Sequence, residues 1–269
     1  MSIFTVKEGC VKCGLCSKLC IREIIQLGAD GVPYGDSAKE GECIKCGQCV
    51  SFCPKSCCYL DFQEERVGVD IYTLPAASVS ETFLRSRRSI RIYKDKPVDA
   101  ATVLRILETV RYAPSASNMQ PVRWVISMTR EKTLEINKLI VESFRADVAA
   151  LASVNHPRAV TVVSGWDKGQ DVVFRGAPQL AVALVKKSHP FPEDASIALT
   201  YFELAAHAAG VGCCWGGIFT MAARGISAVR GLLGISEDEY IVGAQMFGYP
   251  DIKYGHILPP RKKIDVSFV

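Results

Sequence analysis

Four cysteines stand within eleven residues in "CVKCGLCSKLC", residues 10–20, and the same spacing returns in "CIKCGQCVSFC", residues 43–53. Each run reads C-x2-C-x2-C-x3-C, and together they hold eight of the chain's twelve cysteines. The opening "MSIFTVKEGC" shows no apolar leader, so a cytoplasmic location is expected, where thiols stay reduced. Dense cysteines in that setting point to metal rather than disulfides. Three thiolates two residues apart let one tight loop wrap three corners of a cubane iron–sulfur cluster, and the fourth ligand must come from elsewhere. Gly14 and Gly47 follow the middle cysteines, where the backbone must turn sharply. The alternative is a pair of structural zinc sites, but zinc favours paired C-x2-C knuckles over a repeated triple. Cys57 and Cys58 fall outside the motif and read as small buried side chains.

Residues 3–62 resemble the bacterial-type ferredoxins that carry two [4Fe–4S] clusters. The likeness rests on the two runs and on Pro54 after Cys53, whereas Ile21 after Cys20 departs from the family's C-P ending. It implies that the last cysteine of each run crosses to the other cluster. One cluster would take Cys10, Cys13, Cys16 and Cys53, and the other Cys43, Cys46, Cys49 and Cys20. The 22 residues between the runs predict an extended hairpin around Gly28–Gly41.

A chain of 269 residues with 49% hydrophobic content can bury one large domain beside a small one. Its net charge of +4, with no long basic block, demands neither nucleic acid nor a membrane surface. The apolar stretch 197–219 carries Glu203 and His207 and reads as a buried helix followed by a strand, not a membrane span. Composition shifts after Phe62, which sets a first domain at 1–62, a linker at 63–78 and a second domain at 79–269.

In the second domain, Ser78-Val79-Ser80-Glu81 has capping-box spacing and predicts a helix running into "RSRRSIRIY", residues 85–93. Arg87, Arg88, Ser89 and Arg91 form a trap for a phosphate dianion, or else a solvated basic face. Asp99 is the expected N-cap of a helix over 100–112 with Val103, Leu107 and Val110 on one face, stopped by Pro114. The run "PSASNMQP", 114–121, reads as a loop before a strand at Trp124–Met128. Further strands are expected at 179–185 and 240–247, with a helix at 194–209. Cys213 and Cys214 read as buried residues of a strand, His207 as a packed, hydrogen-bonded histidine. "GVGCCWGGI" does not fit G-x-G-x-x-G, because Trp215 takes the third glycine's place, so a Rossmann site is rejected. Arg175 in "FRGAP" faces either a substrate or a carboxylate.

Residues 79–266 resemble the FMN-dependent nitroreductases. The likeness lies in R-R-S-x-R-x-Y, P-S-A-S-N-x-Q-P, "GVGCCWGGI" and "FGYP…PPRKK", in the family's order. It implies an α+β fold overall: a small ferredoxin-like domain, then an α+β domain with a mainly antiparallel central sheet. It also implies a homodimer with FMN at the interface. Arg87, Arg88, Ser89 and Arg91 would hold the phosphate and ribityl chain, with Arg261 and Lys263 reaching the same phosphate. Pro114, Ser115, Ala116, Asn118 and Gln120 would come from the other subunit to line the isoalloxazine. Trp215, Gly216 and Gly217 would run beside the ring, where the family often has a Pro-x-Glu-Gly-like sequence instead. No catalytic acid can be named.

The two resemblances together imply a flavin-dependent oxidoreductase. Two [4Fe–4S] clusters would pass electrons to FMN, which would reduce an electron-poor organic acceptor, such as a nitroaromatic, quinone or activated alkene, by two electrons. The donor would be a ferredoxin-type protein or NAD(P)H. The alternatives are an electron-transfer adaptor serving a protein partner, and a flavoenzyme of the same fold with dehalogenase or flavin-fragmenting activity.

Overall fold

The computed structural model describes residues 2–62, 74–150, 158–257 and 262–269. They form two compact units, one of Met1–Leu74 with Ser117–Met119, the other of Pro75–Ala116 and Gln120–Val269.

The first unit is built from very short elements. Strand β1 (Phe4–Val6) pairs antiparallel with β4 (Cys58–Leu60), setting Phe4 opposite Leu60. Strands β2 (Ile25–Leu27) and β3 (Pro33–Gly35) form the hairpin expected between the cysteine runs. Its paired part is shorter than the stretch anticipated, because the chain turns at Gly28–Val32 and passes into a 3-10 turn at Glu40–Glu42. Helices α1 (Leu15–Leu19) and α2 (Gln48–Ser51) follow the middle cysteines. Phe4, Ile24, Ile25, Cys58 and Leu60 make its small core.

The second unit is a four-stranded antiparallel sheet with helices on both faces. Its strands are β5 (Arg123–Ser127), β6 (Gln179–Lys186), β7 (Gly212–Trp215) and β8 (Glu239–Gly248), in the order β5-β6-β8-β7. Strand β6 is buried along nearly its whole length, which is why "QLAVALV" is apolar without alternation. Its residues still divide by parity. Leu180, Val182 and Leu184 pack with α5 (Arg130–Ala149), α6 (Ala159–Asp167), α8 (Gly217–Gly225) and α9 (Ser227–Leu232). Ala181 packs with α4 (Ala100–Val110) and α7 (Glu193–Ala208) on the opposite face.

Helix α4 starts as expected. The Asp99 carboxylate accepts from the Thr102 backbone N–H at 2.8 Å and from the Thr102 hydroxyl at 2.9 Å. It ends at Val110, two residues short of the expected end, with Val103, Ile106 and Val110 buried. Helix α3 (Ala77–Ser86) differs from expectation: its N-cap is Ala76, and Ser78 lies inside the first turn with no side-chain cap. Pro75, whose fixed φ suits a helix entrance, stands just before that start. The helix therefore begins within the span 63–78 assigned to a linker, of which 63–73 lie outside the described residues.

Candidate functional site

The two cysteine runs fold alike. Gly14 and Gly47 have φ of 69° and 71°, and each caps the helix that follows. The left-handed region recurs at Lys12 and Lys45, and again at Glu23 and Ser56, three residues past the last cysteine of each run. Cys10, Cys13, Cys16 and Cys53 line one cavity. Cys20, Cys43, Cys46 and Cys49 line another. No histidine or carboxylate lines either, so the donor set is sulfur alone and suits a thiophilic metal or cluster.

The thiols respond to their crowding. Burial and the neighbouring thiols Cys46 and Cys20 push Cys49 up to about 12. At Cys53 burial works against the thiolate, but backbone donors at Cys57, Lys55 and Cys58 outweigh it and bring the thiol down to about 7. Cys57 and Cys58 are buried, as expected from the sequence, yet both also line the first cavity. The Cys57 sulfur lies 3.5 Å from that of Cys53.

In the second unit the site is organised by β7. Residues 89–90 run beside it: Ser89 bridges Cys213, and the Ile90 N–H donates to the Cys213 carbonyl at 2.9 Å. Gly212 is required there, because a Cβ would stand 2.6 Å from Ile90 Cγ1. The basic run is divided between two cavities. Arg87, Arg88 and Ile90 line a cavity of about 180 Å³ with Glu203, His207, Cys213 and Tyr254. Arg91 lines a cavity of about 310 Å³ with Cys214, Trp215, Gly217, Ile218 and Met246. Burial pushes the Cys214 thiol up, against the Arg91 charge and hydrogen bonds from Ser89 and Arg91.

Arg87 is not a free cation. Its Nη1 donates to Glu203 Oε1 at 2.6 Å, with both side chains mostly buried. His207, beside this pair, bonds the Ser86 hydroxyl through Nε2 at 2.8 Å, and burial, aided by the Arg87 charge, lowers its pKa. The sequence marked Glu203 only as a polar interruption of an apolar helix, its partner Arg87 lying 116 residues away, whereas His207 is the packed, hydrogen-bonded histidine expected.

Trp215 is 45% exposed at the end of β7, and its ring lies over Gly243 of β8, where a Cβ would meet it at 2.5 Å. The Gly216 N–H donates to the Ala244 carbonyl at 2.8 Å, fixing the entry to α8. Gly217 and Ile218, the first residues of that helix, line the 310 Å³ cavity, so the positive helix end faces it.

The 114–121 loop lies elsewhere. Pro114, Ser115 and Gln120 line a third cavity, of about 340 Å³, with Leu104, Leu107 and Trp124. The Ser115 hydroxyl accepts from the Gln120 N–H at 3.0 Å. Asp194 Oδ1 accepts from the Ala116 N–H at 3.0 Å, while its Oδ2 meets His189 Nε2 at 3.0 Å. This buried Asp194–His189 pair, which anchors the loop, had no signal in the sequence beyond an acidic residue at a helix start. Ser117, Asn118 and Gln120 have positive φ, and Asn118 groups with the first unit, its amide donating to the Ile44 carbonyl at 3.0 Å. The cavity lined by Pro114, Ser115 and Gln120 shares no residue with the Arg91–Trp215 cavity. Lys263 is exposed on the C-terminal tail, and Arg261 lies outside the described residues.

Residues 84–249 match the nitroreductase family. A protein of Archaeoglobus fulgidus, named for NADH dehydrogenase and NAD(P)H nitroreductase activity, is 27% identical over 168 residues, 61% of this chain and 82% of its own. A nitrobenzene nitroreductase of Ectopseudomonas oleovorans is 37% identical over 73 residues, 27% of this chain and 32% of its own. The solved structure of a Bacteroides fragilis nitroreductase with bound FMN covers 72% of this chain and all of its own at 20% identity, with a TM-score of 0.57, a likeness of fold. The family match spans most of the chain and contains the whole four-stranded sheet, and on that ground the chain belongs to the nitroreductase family.

Proposed function

We propose that this protein is an FMN-dependent oxidoreductase that reduces an electron-poor organic acceptor by two electrons, drawing them through two [4Fe–4S] clusters held by its eight motif cysteines. The observation that carries the reading is the grouping of those cysteines into two sulfur-lined cavities on a chain whose remainder is a nitroreductase. When bound, iron–sulfur clusters move single electrons and FMN couples them to two-electron chemistry.

The chain's own groups fit these roles. Cys10, Cys13, Cys16 and Cys53 would hold one cluster, and Cys20, Cys43, Cys46 and Cys49 the other. Arg91 and the first N–H groups of α8 offer positive charge beside Trp215, where a reduced flavin ring would carry negative charge. Arg88, Ser89 and the tail residues Arg261 and Lys263 remain the candidates for the phosphate. Arg87 already serves Glu203, so its part would be to orient that wall of the site. The acceptor gains two electrons, and its protons come from solvent.

A homodimer fits the absence of Pro114, Ser115 and Gln120 from the lining of the Arg91–Trp215 cavity, since a second chain could deliver them. Leu104 and Tyr112, 62% and 80% exposed on and just past α4, would then be covered.

Anaerobically purified full-length protein is expected to carry about eight iron, eight sulfide and one FMN per chain. Reduced ferredoxin should bleach the flavin, and Cys13→Ser should slow that step while sparing FMN content. Equal rates in the variant would remove the clusters from the electron path. Bleaching by NADPH alone would make the nicotinamide the donor.

A further inference from the structure

We infer that the 310 Å³ cavity beside Trp215 recognises an anionic group on the substrate, through Arg175 and Arg158. The inference rests on the flavin-site reading of that cavity and names its substrate class: a flat, electron-poor molecule bearing a carboxylate or similar anion.

Arg175 is held in place by its backbone. It stands at φ 57°, in the left-handed region that costs a branched or bulky residue about 1 kcal/mol or more. Asp171 enforces this conformation. Its carboxylate accepts from the Phe174 N–H, the Gly176 N–H and the Asn137 side-chain amide, each at 2.8 Å, and its carbonyl accepts from the Arg175 N–H at 3.2 Å. Phe174 and Ala177 on either side are buried in the core, so the turn is anchored and its arginine is directed to the cavity wall. Arg158 reaches the same cavity from the residue before α6, where its carbonyl accepts from the Val162 N–H at 3.0 Å.

Charge balance separates these arginines from those that already have an anionic partner. Arg87, Arg123, Arg130 and Arg145 each pair with a carboxylate. Among the described residues, no carboxylate pairs with Arg91, Arg158 or Arg175, and none lines their cavity. Three guanidinium groups around an otherwise apolar wall call for an anion from outside. Arg91 sits beside β7, where the ring of the cofactor is expected. Arg158 and Arg175 come from the segments before α6 and β6, which leaves them for a second molecule.

The test uses oxidised full-length holoprotein with FMN content measured first. 4-Nitrobenzoate and its neutral counterpart nitrobenzene are titrated calorimetrically into the native protein, Arg175→Gln, Arg158→Gln and Arg175→Lys. The native protein should bind the carboxylate about tenfold tighter than the neutral ring. Each glutamine variant should lose about tenfold on 4-nitrobenzoate alone, Arg175→Lys should lose less, and the difference should shrink as salt is raised. An unchanged ratio of the two affinities in both glutamine variants would overturn the inference. So would a fall in their FMN content, which would assign these guanidinium groups to the cofactor phosphate. Native protein without FMN would instead defeat the flavin reading, while the charge discrimination is still read from the same titration.

Discussion

The two units of this chain solve the problem of staying folded in different ways. The first has strands of three residues and helices of five and four, and its core is a handful of side chains around Phe4, Ile25 and Leu60. The second has a ten-residue strand, an eight-residue strand buried along most of its length, and apolar clusters on both faces of its sheet. A unit as small as the first buries little apolar surface to offset the entropy of ordering it, and on the proposed reading metal–thiolate bonds would supply the difference. The second needs no such help. Its cofactor site is a consequence of the sheet, not a condition for it.

Iron removal is the most direct way to break that contrast, and its effect should be the largest. Ligand–metal bonding to a structural site is worth on the order of 10 kcal/mol. After anaerobic chelation, amide-exchange protection at Phe4, Ile25 and Leu60 should be lost while that of Leu180 to Val185 persists. Protection retained in both units would mean that the small core suffices without metal.

Next comes Gly243→Val. A Cβ there meets Trp215 at 2.5 Å and Leu199 Cδ1 at 2.8 Å, inside the rigid sheet. Overpacking of this kind costs about 1–3 kcal/mol. The urea midpoint should fall and the Trp215 emission shift, with the cysteine-rich unit's iron content unchanged. A simultaneous loss of iron would show that the units are not independent in stability.

Arg87→Ala should cost less, about 1–2 kcal/mol. It leaves Glu203 without its ion pair, but Arg87 is 27% exposed, so solvent softens the penalty that a deeply buried pair would incur. Denaturant titration measures the loss. A matching loss of FMN affinity would give Arg87 a direct role at the phosphate as well.

The smallest effect belongs to Asp99→Ala. Hydrogen bonds from the Thr102 backbone and side chain hold the Asp99 carboxyl below its usual range. A carboxyl lowered by folding stabilises fully above its unfolded-state pKa and loses that contribution as pH falls through the folded value. The difference in urea midpoint between the variant and the native protein should therefore be present at neutral pH and close under acid. A gap that stays constant on acidification would show that the cap acts through shape, not charge.

Much of the local structure could be read without coordinates because its causes are local. Asp99 three residues before Thr102, the unbroken apolar run at 179–185 and the wide apolar face of α7 each act within a few residues. The miss at Ser78 is instructive for the same reason. A capping-box spacing permits a helix start but does not compel one, and the helix begins at Ala77 with Ala76 as its N-cap.

By itself, then, the amino-acid order determined which residues cluster, turn and alternate: eight thiols at a repeated spacing, glycines where φ is positive, apolar residues where strands are covered on both sides. These depend on bond geometry and short-range contacts, which spacing encodes. Only the tertiary structure decided how charge is shared. It set Arg87 against Glu203, turned Arg91 to the opposite side of β7, tied the 114–121 loop to Asp194, and brought Arg158 and Arg175 to one cavity. The physical reason is that charge pairing depends on distance in space, and the partners come together only when the sheet and its covering helices bring remote segments side by side.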